Sequence, residues 1–177
     1  PYSQRASLSD AAQDTLNPDG TTQRLVNDKV GYIRNSVKAT VDAYDGTVDL
    51  YEFDKNDPVL KAWEGVFPDV VKPEAEISDE LREHFRYPED MFKVQRDLLA
   101  RYHVDDPNVF FNNDAFWSVP NDPTAEESRQ LNQPPYYVMA ADPETGKPTF
   151  QLTTSYRGLN REFLSAHMAV SSDPETY

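Results

Sequence analysis

The chain has no cysteine among its 177 residues, which excludes disulfides, thiolate nucleophiles and zinc–thiolate centres. That absence fits either side of a membrane and assigns no compartment by itself. Glycine is scarce, at six residues, and leaves little material for phosphate-cradling loops. No Walker loop, dinucleotide fingerprint or Gly-x-Ser-x-Gly elbow is present. Histidine occurs only at His84, His103 and His167, and no two of these stand at a metal-ligand spacing. Long apolar runs are missing too. The longest, Tyr136 to Ala141, falls far short of the ~20 residues needed to span a bilayer. Basic residues number 17 against 31 acidic ones, for a net charge of −14. A surface of that sign repels phosphate backbones and anionic headgroups, so nucleic-acid binding and peripheral membrane binding are disfavoured.

What the chain does have is aromatic bulk. Nine Phe, ten Tyr and two Trp supply core material that a hydrophobic fraction of 38% would otherwise leave thin. A chain of this length buries roughly 70% of its unfolded surface. No signal peptide is visible and the first residue is Pro1, so the chain reads as a piece of a longer protein.

The stretch Asn35 to Asp54 organises the reading. Val37, Ala39, Val41 and Ala43 alternate with Lys38, Thr40 and Asp42, as a half-buried strand requires. Val30, Ile33, Val37, Val41 and Tyr44 also fit one helix face, so residues 30–44 admit a helix as the alternative. Asp45-Gly46 favours the hairpin, because Gly and Asp tolerate the positive φ angles of a two-residue type I′ turn. That register sets Val41 opposite Leu50 and Asp42 opposite Asp49, and gathers Ala39, Val41, Ala43, Val48 and Leu50 on one face.

Helix signals follow. Asp57-Pro58 opens one, Ser78 caps a second over Asp79 to Phe85, and Pro88 to Tyr102 is the clearest. Its predicted apolar stripe is Met91, Val94, Gln95, Leu98 and Tyr102, widened by Phe92 and Leu99. Asp106-Pro107 and Asn121-Asp122-Pro123 start two more, the last running to Leu131. Tyr136–Ala141 and Thr149–Tyr156 read as a second hairpin, and Leu164–Ser171 as a further strand. The predicted fold is α+β: an antiparallel sheet of four or five strands, with hairpins over 36–53 and 136–156, covered by several short helices. Residues 1–28 read as an irregular N-terminal arm and 29–177 as a single α+β domain.

Three features carry candidate chemistry. Asp105, Asp106 and Asp114, with nearby Asn residues, offer oxygen ligands of the kind calcium takes, although the EF-hand pattern is absent and Asp106 also suits a helix cap. Phe110, Phe111, Phe116 and Trp117, with Tyr136 and Tyr137, could form a glycan or peptide platform, but core packing explains them more economically. Paired carboxylates for hydrolysis are uninformative in so acidic a chain, since almost any fold brings two together.

Three longer strings are distinctive: GYIRNSVKATVDAYDGTVDLYEFD at 31–54, ISDELREHFRYPEDMFKVQRDLLARYHVDDPNVFFNN at 77–113, and QPPYYVMA at 133–140. They resemble a bacterial family of large integral membrane proteins known as uncharacterised protein family 0182. The resemblance implies a parent with N-terminal transmembrane helices and a large soluble C-terminal portion outside the cytoplasmic membrane, of which this chain is a piece. It implies no catalytic residue and no cofactor. The leading expectation is therefore a non-catalytic extracytoplasmic domain that packs against its own parent or an envelope partner. The alternatives are a calcium- or glycan-binding module and, more remotely, a carboxylate-dependent hydrolase.

Overall fold

A computed structural model describes residues 6–7, 29–30, 32–125, 131–143 and 145–173. The expected arm over 1–28 lies outside the described residues, apart from Ala6–Ser7 (β1), which pairs antiparallel with Lys29–Val30 (β2). The helix expected from Asp122 to Leu131 also falls largely outside them; its described beginning is a turn in which Asp122 Oδ1 accepts from Thr124 N at 2.8 Å. The chain divides into two compact units at Phe85 and Arg86.

The first unit, Tyr32–Phe85, is built on the first hairpin. Val37–Val41 (β3) and Val48–Glu52 (β4) pair antiparallel, and Val71–Lys72 (β5) adds to β4 in parallel. The strand reading of residues 37–41 holds, but the turn is longer than the Asp-Gly dipeptide implies. Asp42 N donates to Thr47 O at 2.8 Å and Gly46 N donates to Asp42 O at 2.9 Å, with Gly46 at φ +77°. The Asp42 carboxylate closes this turn locally by accepting from Tyr44 N at 2.7 Å. The register consequently sets Val41 opposite Val48 and Ala39 opposite Leu50, two residues away from the expected pairing. A shift of two preserves the faces, because side chains alternate with period two. Asp42 does not oppose Asp49; Asp49 lies opposite Thr40 and pairs with Lys72 Nζ at 2.8 Å.

Two short helices flank this sheet. In Pro58–Val66 (α1), Asp57 caps the free amides by accepting from Val59 N at 2.9 Å, and Pro58 sits where no N–H is needed. In Asp79–Glu83 (α2), Ser78 Oγ accepts from Leu81 N at 3.2 Å. One sheet face packs Tyr51 with Ile77, Phe85, Phe53 and Leu81, and Phe53 meets Phe85 edge-on at 5.8 Å. The other face carries Val37, Ala39, Val41, Val48 and Leu50.

The second unit, described through Asp173, centres on the long strand Pro148–Gly158 (β8). It pairs antiparallel with Trp117–Ser118 (β6), Tyr136–Ala141 (β7) and Leu164–Ser171 (β9). The β7–β8 turn repeats the first one: Asp142 N donates to Lys147 O at 2.8 Å, Gly146 N donates to Asp142 O at 2.8 Å, and Gly146 has φ +69°. The long helix Glu89–Tyr102 (α3) packs against β8, and Pro107–Asn112 (α4) follows it. Tyr87, Phe92 and Leu152 form the core with Met91, Met168 and Val170 beside them.

The buried face of α3 differs from the predicted stripe. Phe92, Lys93, Val94, Arg96 and Ala100 are buried, whereas Leu99 and Tyr102 are exposed. A stripe read from apolar residues leaves charged side chains on the wet face. Here Lys93 is neutralised one turn back by Glu89 at 2.7 Å, and Arg96 Nη1 donates to the Gln133 carbonyl at 3.2 Å. Buried cations are tolerated when they are paired and hydrogen-bonded. Tyr156, wholly buried, donates its hydroxyl to the Arg96 carbonyl at 2.9 Å. The α+β content of antiparallel hairpins and short helices is as expected, with the two hairpins in separate sheets.

Candidate functional site

A concavity lies in the first unit, between α1 and the apolar face of the β3–β4–β5 sheet. It is a groove of about 540 Å³. Leu50 and Val71, cross-strand partners, lie on the sheet side with Val37. Val59, Leu60, Trp63 and Phe67 form the helix side, following the i, i+3/i+4 spacing of one helix face. Of these, Leu60 is buried and anchors the helix, while Trp63 is 59% exposed and Phe67 51% exposed. Trp63 and Phe67 stack with centroids 5.5 Å apart and planes at 14°. The helix therefore covers part of the sheet and turns two large rings outward over the groove instead of into a core.

One end of the groove is polar. Asp57, only 4% exposed, accepts from the Tyr32 hydroxyl at 2.5 Å, from the Ser36 hydroxyl and from Val59 N. Burial works to raise the Asp57 pKa, but the hydroxyl bonds from Ser36 and Tyr32 and the capped backbone amide outweigh it, and the carboxyl titrates at about 2. Arg34 forms an ion pair with Asp54 alongside. These bonds hold the N-terminus of α1 to the irregular segment 32–36 that leads into β3. That makes Asp57 a fixed structural anion and a poor general base: its depressed pKa leaves it a weak proton acceptor near neutral pH.

The apolar face continues past the groove. Val41 is 66% exposed and Val48 57%. Monomeric proteins seldom leave a contiguous apolar surface of more than a few hundred Å² bare, and larger patches mark interaction sites.

The residues singled out from sequence sit elsewhere. Asp106 caps α4, accepting from Asn108 N at 2.7 Å and Val109 N at 3.3 Å, while Asp105 and Asp114 are exposed. Among the described residues, no group of three or more His, Asp or Glu side chains is placed to hold a metal ion. Of the aromatic strip, Phe116 is buried against Phe110, and Trp117 stacks on His103 at 3.4 Å and meets Tyr156 at a tilt, with centroids 5.2 Å apart. Phe111 stands out at 85% exposure, and the Tyr137 hydroxyl donates to the Tyr87 carbonyl at 2.6 Å. Phe110, Phe116 and Trp117 are thus packed, whereas Phe111, Tyr136 and Tyr137 reach solvent. The groove has no counterpart among the sequence candidates. Its one sequence trace is α1, whose Val59, Trp63, Val66 and Phe67 are more apolar than a helix on a small sheet needs.

No solved structure matches the chain. Among curated relatives it is 74% identical to a UPF0182 protein of Corynebacterium glutamicum, 68% identical to one of Corynebacterium diphtheriae, and 65% identical to one of Rhodococcus jostii. Each alignment takes in 100% of this chain but only 18% of the relative's length. The match to the uncharacterised protein family UPF0182 runs over residues 1–177, and the chain belongs to that family.

Proposed function

We propose that the chain is a non-catalytic, extracytoplasmic part of a bacterial membrane protein, and that the apolar face of its first unit packs against the rest of its parent or an envelope partner. The observation that carries this is the open groove of about 540 Å³ with Trp63 and Phe67 turned outward above it. A sheet face that stays apolar without cover loses the stabilisation its burial would bring, roughly 25 cal/mol per Å². The location rests on the resemblance of residues 31–54, 77–113 and 133–140 to the membrane family, and the net charge of −14 suits a surface that stays off anionic headgroups.

Hydroxyl-radical footprinting of the full-length protein in its native membrane tests the docking. Tyr44, 101% exposed at the hairpin tip, serves as the internal reference. Trp63 and Phe67 are expected to oxidise far more slowly than Tyr44 once each rate is corrected for intrinsic reactivity. Corrected rates that simply follow their exposures, 59% and 51% against 101% for Tyr44, would mean the face is bare and the reading wrong. The location is tested by Tyr44→Cys with a membrane-impermeant maleimide, which should label intact cells. Labelling only after permeabilisation places the unit on the cytoplasmic side.

A further inference from the structure

We propose that the outer edge of β3 accepts an extended segment of the same polypeptide, drawn from outside residues 1–177, as an added strand whose alternate side chains close the apolar face. This rests on the docking reading above and specifies its occupant.

The backbone shows which groups are available. Phe53 N donates to Ser36 O at 2.9 Å and Asp42 N donates to Thr47 O at 2.8 Å, so the even-numbered residues of the strand bond to β4. In an antiparallel ladder the intervening residues face away. The N–H and C=O groups of Val37, Ala39 and Val41 therefore point off the free edge. Among the described residues no strand pairs there. Two of the usual protections of a bare edge are absent: Val37–Val41 has no proline and its register with β4 is continuous, without a bulge. Its one charge, Lys38, is turned to the opposite face, with Nζ 4.7 Å from the Phe53 ring and 5.3 Å from the Phe85 ring. An edge left in this state is a template for another strand.

Side chains and charge narrow the occupant. A strand laid beside β3 sets every second residue next to Val37, Ala39 and Val41, on the face that also holds the groove. Apolar residues at those positions would cover Val41 and Val48, which are 66% and 57% exposed. A second copy of the chain is a poor candidate, because two surfaces of −14 repel. A separate protein is disfavoured by length, since a ladder of only five residues is weak by itself. A tethered segment meets the edge at an effective concentration on the order of millimolar, where a short ladder suffices. Such a segment has room to exist, because the chain spans 18% of the length of the relatives it matches.

The test is photo-crosslinking in the full-length membrane protein, with benzoylphenylalanine placed in turn at Val37, Ala39, Val41, Trp63 and Thr40. Probes at Val37, Ala39 and Val41 should give products of monomer mass, joined to one peptide outside residues 1–177. Moving the probe by two residues should move the attachment point by two residues, as for strands in register. Thr40, on the opposite face, should not join that peptide. Attachment points that stay fixed or jump irregularly would overturn strand addition while leaving the face as a docking surface. Products of dimer mass, products with another protein, or attachment within residues 1–177 would overturn the assigned occupant alone. No product from Val41 or from Trp63 would overturn both this inference and the docking reading beneath it.

Discussion

Replacing Asp57 with asparagine keeps the size of the side chain and its ability to cap α1, because asparagine is as good an N-cap as aspartate. It removes the charge at which the Tyr32 and Ser36 hydroxyls and Val59 N–H are aimed. In the folded chain the carboxyl titrates at about 2, against an ordinary value of 3.8. A carboxyl whose folded pKa is depressed favours the fold while it is ionised. Its contribution is complete above the unfolded pKa, and is lost as pH falls from about 4 through about 2. At face value the shift corresponds to roughly 2.4 kcal/mol, and screening by water in the groove that Asp57 lines reduces it to about 1–1.5 kcal/mol. Asp57→Ala goes further, losing the cap at about 1 kcal/mol and leaving the Ser36 and Tyr32 hydroxyls without their acceptor, for about 2–4 kcal/mol in all. Urea unfolding of the wild type and both variants across a pH series reads these quantities. The Asn variant should trail the wild type at neutral pH and converge with it near about pH 2, where the native carboxyl is protonated too. An offset that is the same at both ends of the series would show that the Asp57 charge is not coupled to folding, and would refute the account of the polar end of the groove.

Burial pushes Lys38 down to about 8, so the first unit should gain stability as pH rises from about 8 towards 10.5, where the unfolded chain still holds that proton; urea midpoints for Lys38→Met should lack this rise. Gly46 and Gly146 stand at φ +77° and +69°, so alanine at either should destabilise its unit by about 1 kcal/mol in thermal melts. Gly65→Ala, inside α1 with nothing within 4 Å of the added carbon, should stabilise by about 0.5–1 kcal/mol in the same assay. Phe92, wholly buried between α3 and β8, should cost about 3–5 kcal/mol on truncation to alanine, read by denaturant unfolding of the second unit.

Features set within one turn of chain are legible in the residues themselves. Asp57, Ser78 and Asp106 cap the helices that their sequence positions announce, because an N-cap bond spans only two or three residues. Both hairpins are readable from alternation and a turn glycine, but the length of the turn is not. Asp42 and Asp142 each precede a glycine by four residues and close the same six-residue turn, a spacing that outweighs the Asp-Gly dipeptide. The α3 stripe differs from its apolar pattern because Lys93 and Arg96 find partners, and the Arg96 partner at Gln133 lies 37 residues away.

What the sequence determined alone was therefore local: strand alternation, caps, turn glycines, acidic charge, and membership of a family readable in long strings. The tertiary structure decided which strands share a sheet, that β5 joins β4 in parallel, and which face of α3 is buried. It also brought Tyr32 and Ser36 to Asp57 across 25 and 21 residues, and left the groove beneath Trp63 uncovered. The physical reason is range. Caps and turns are settled by bonds between near neighbours, whereas burial and pairing depend on which distant segment fills the space beside each face.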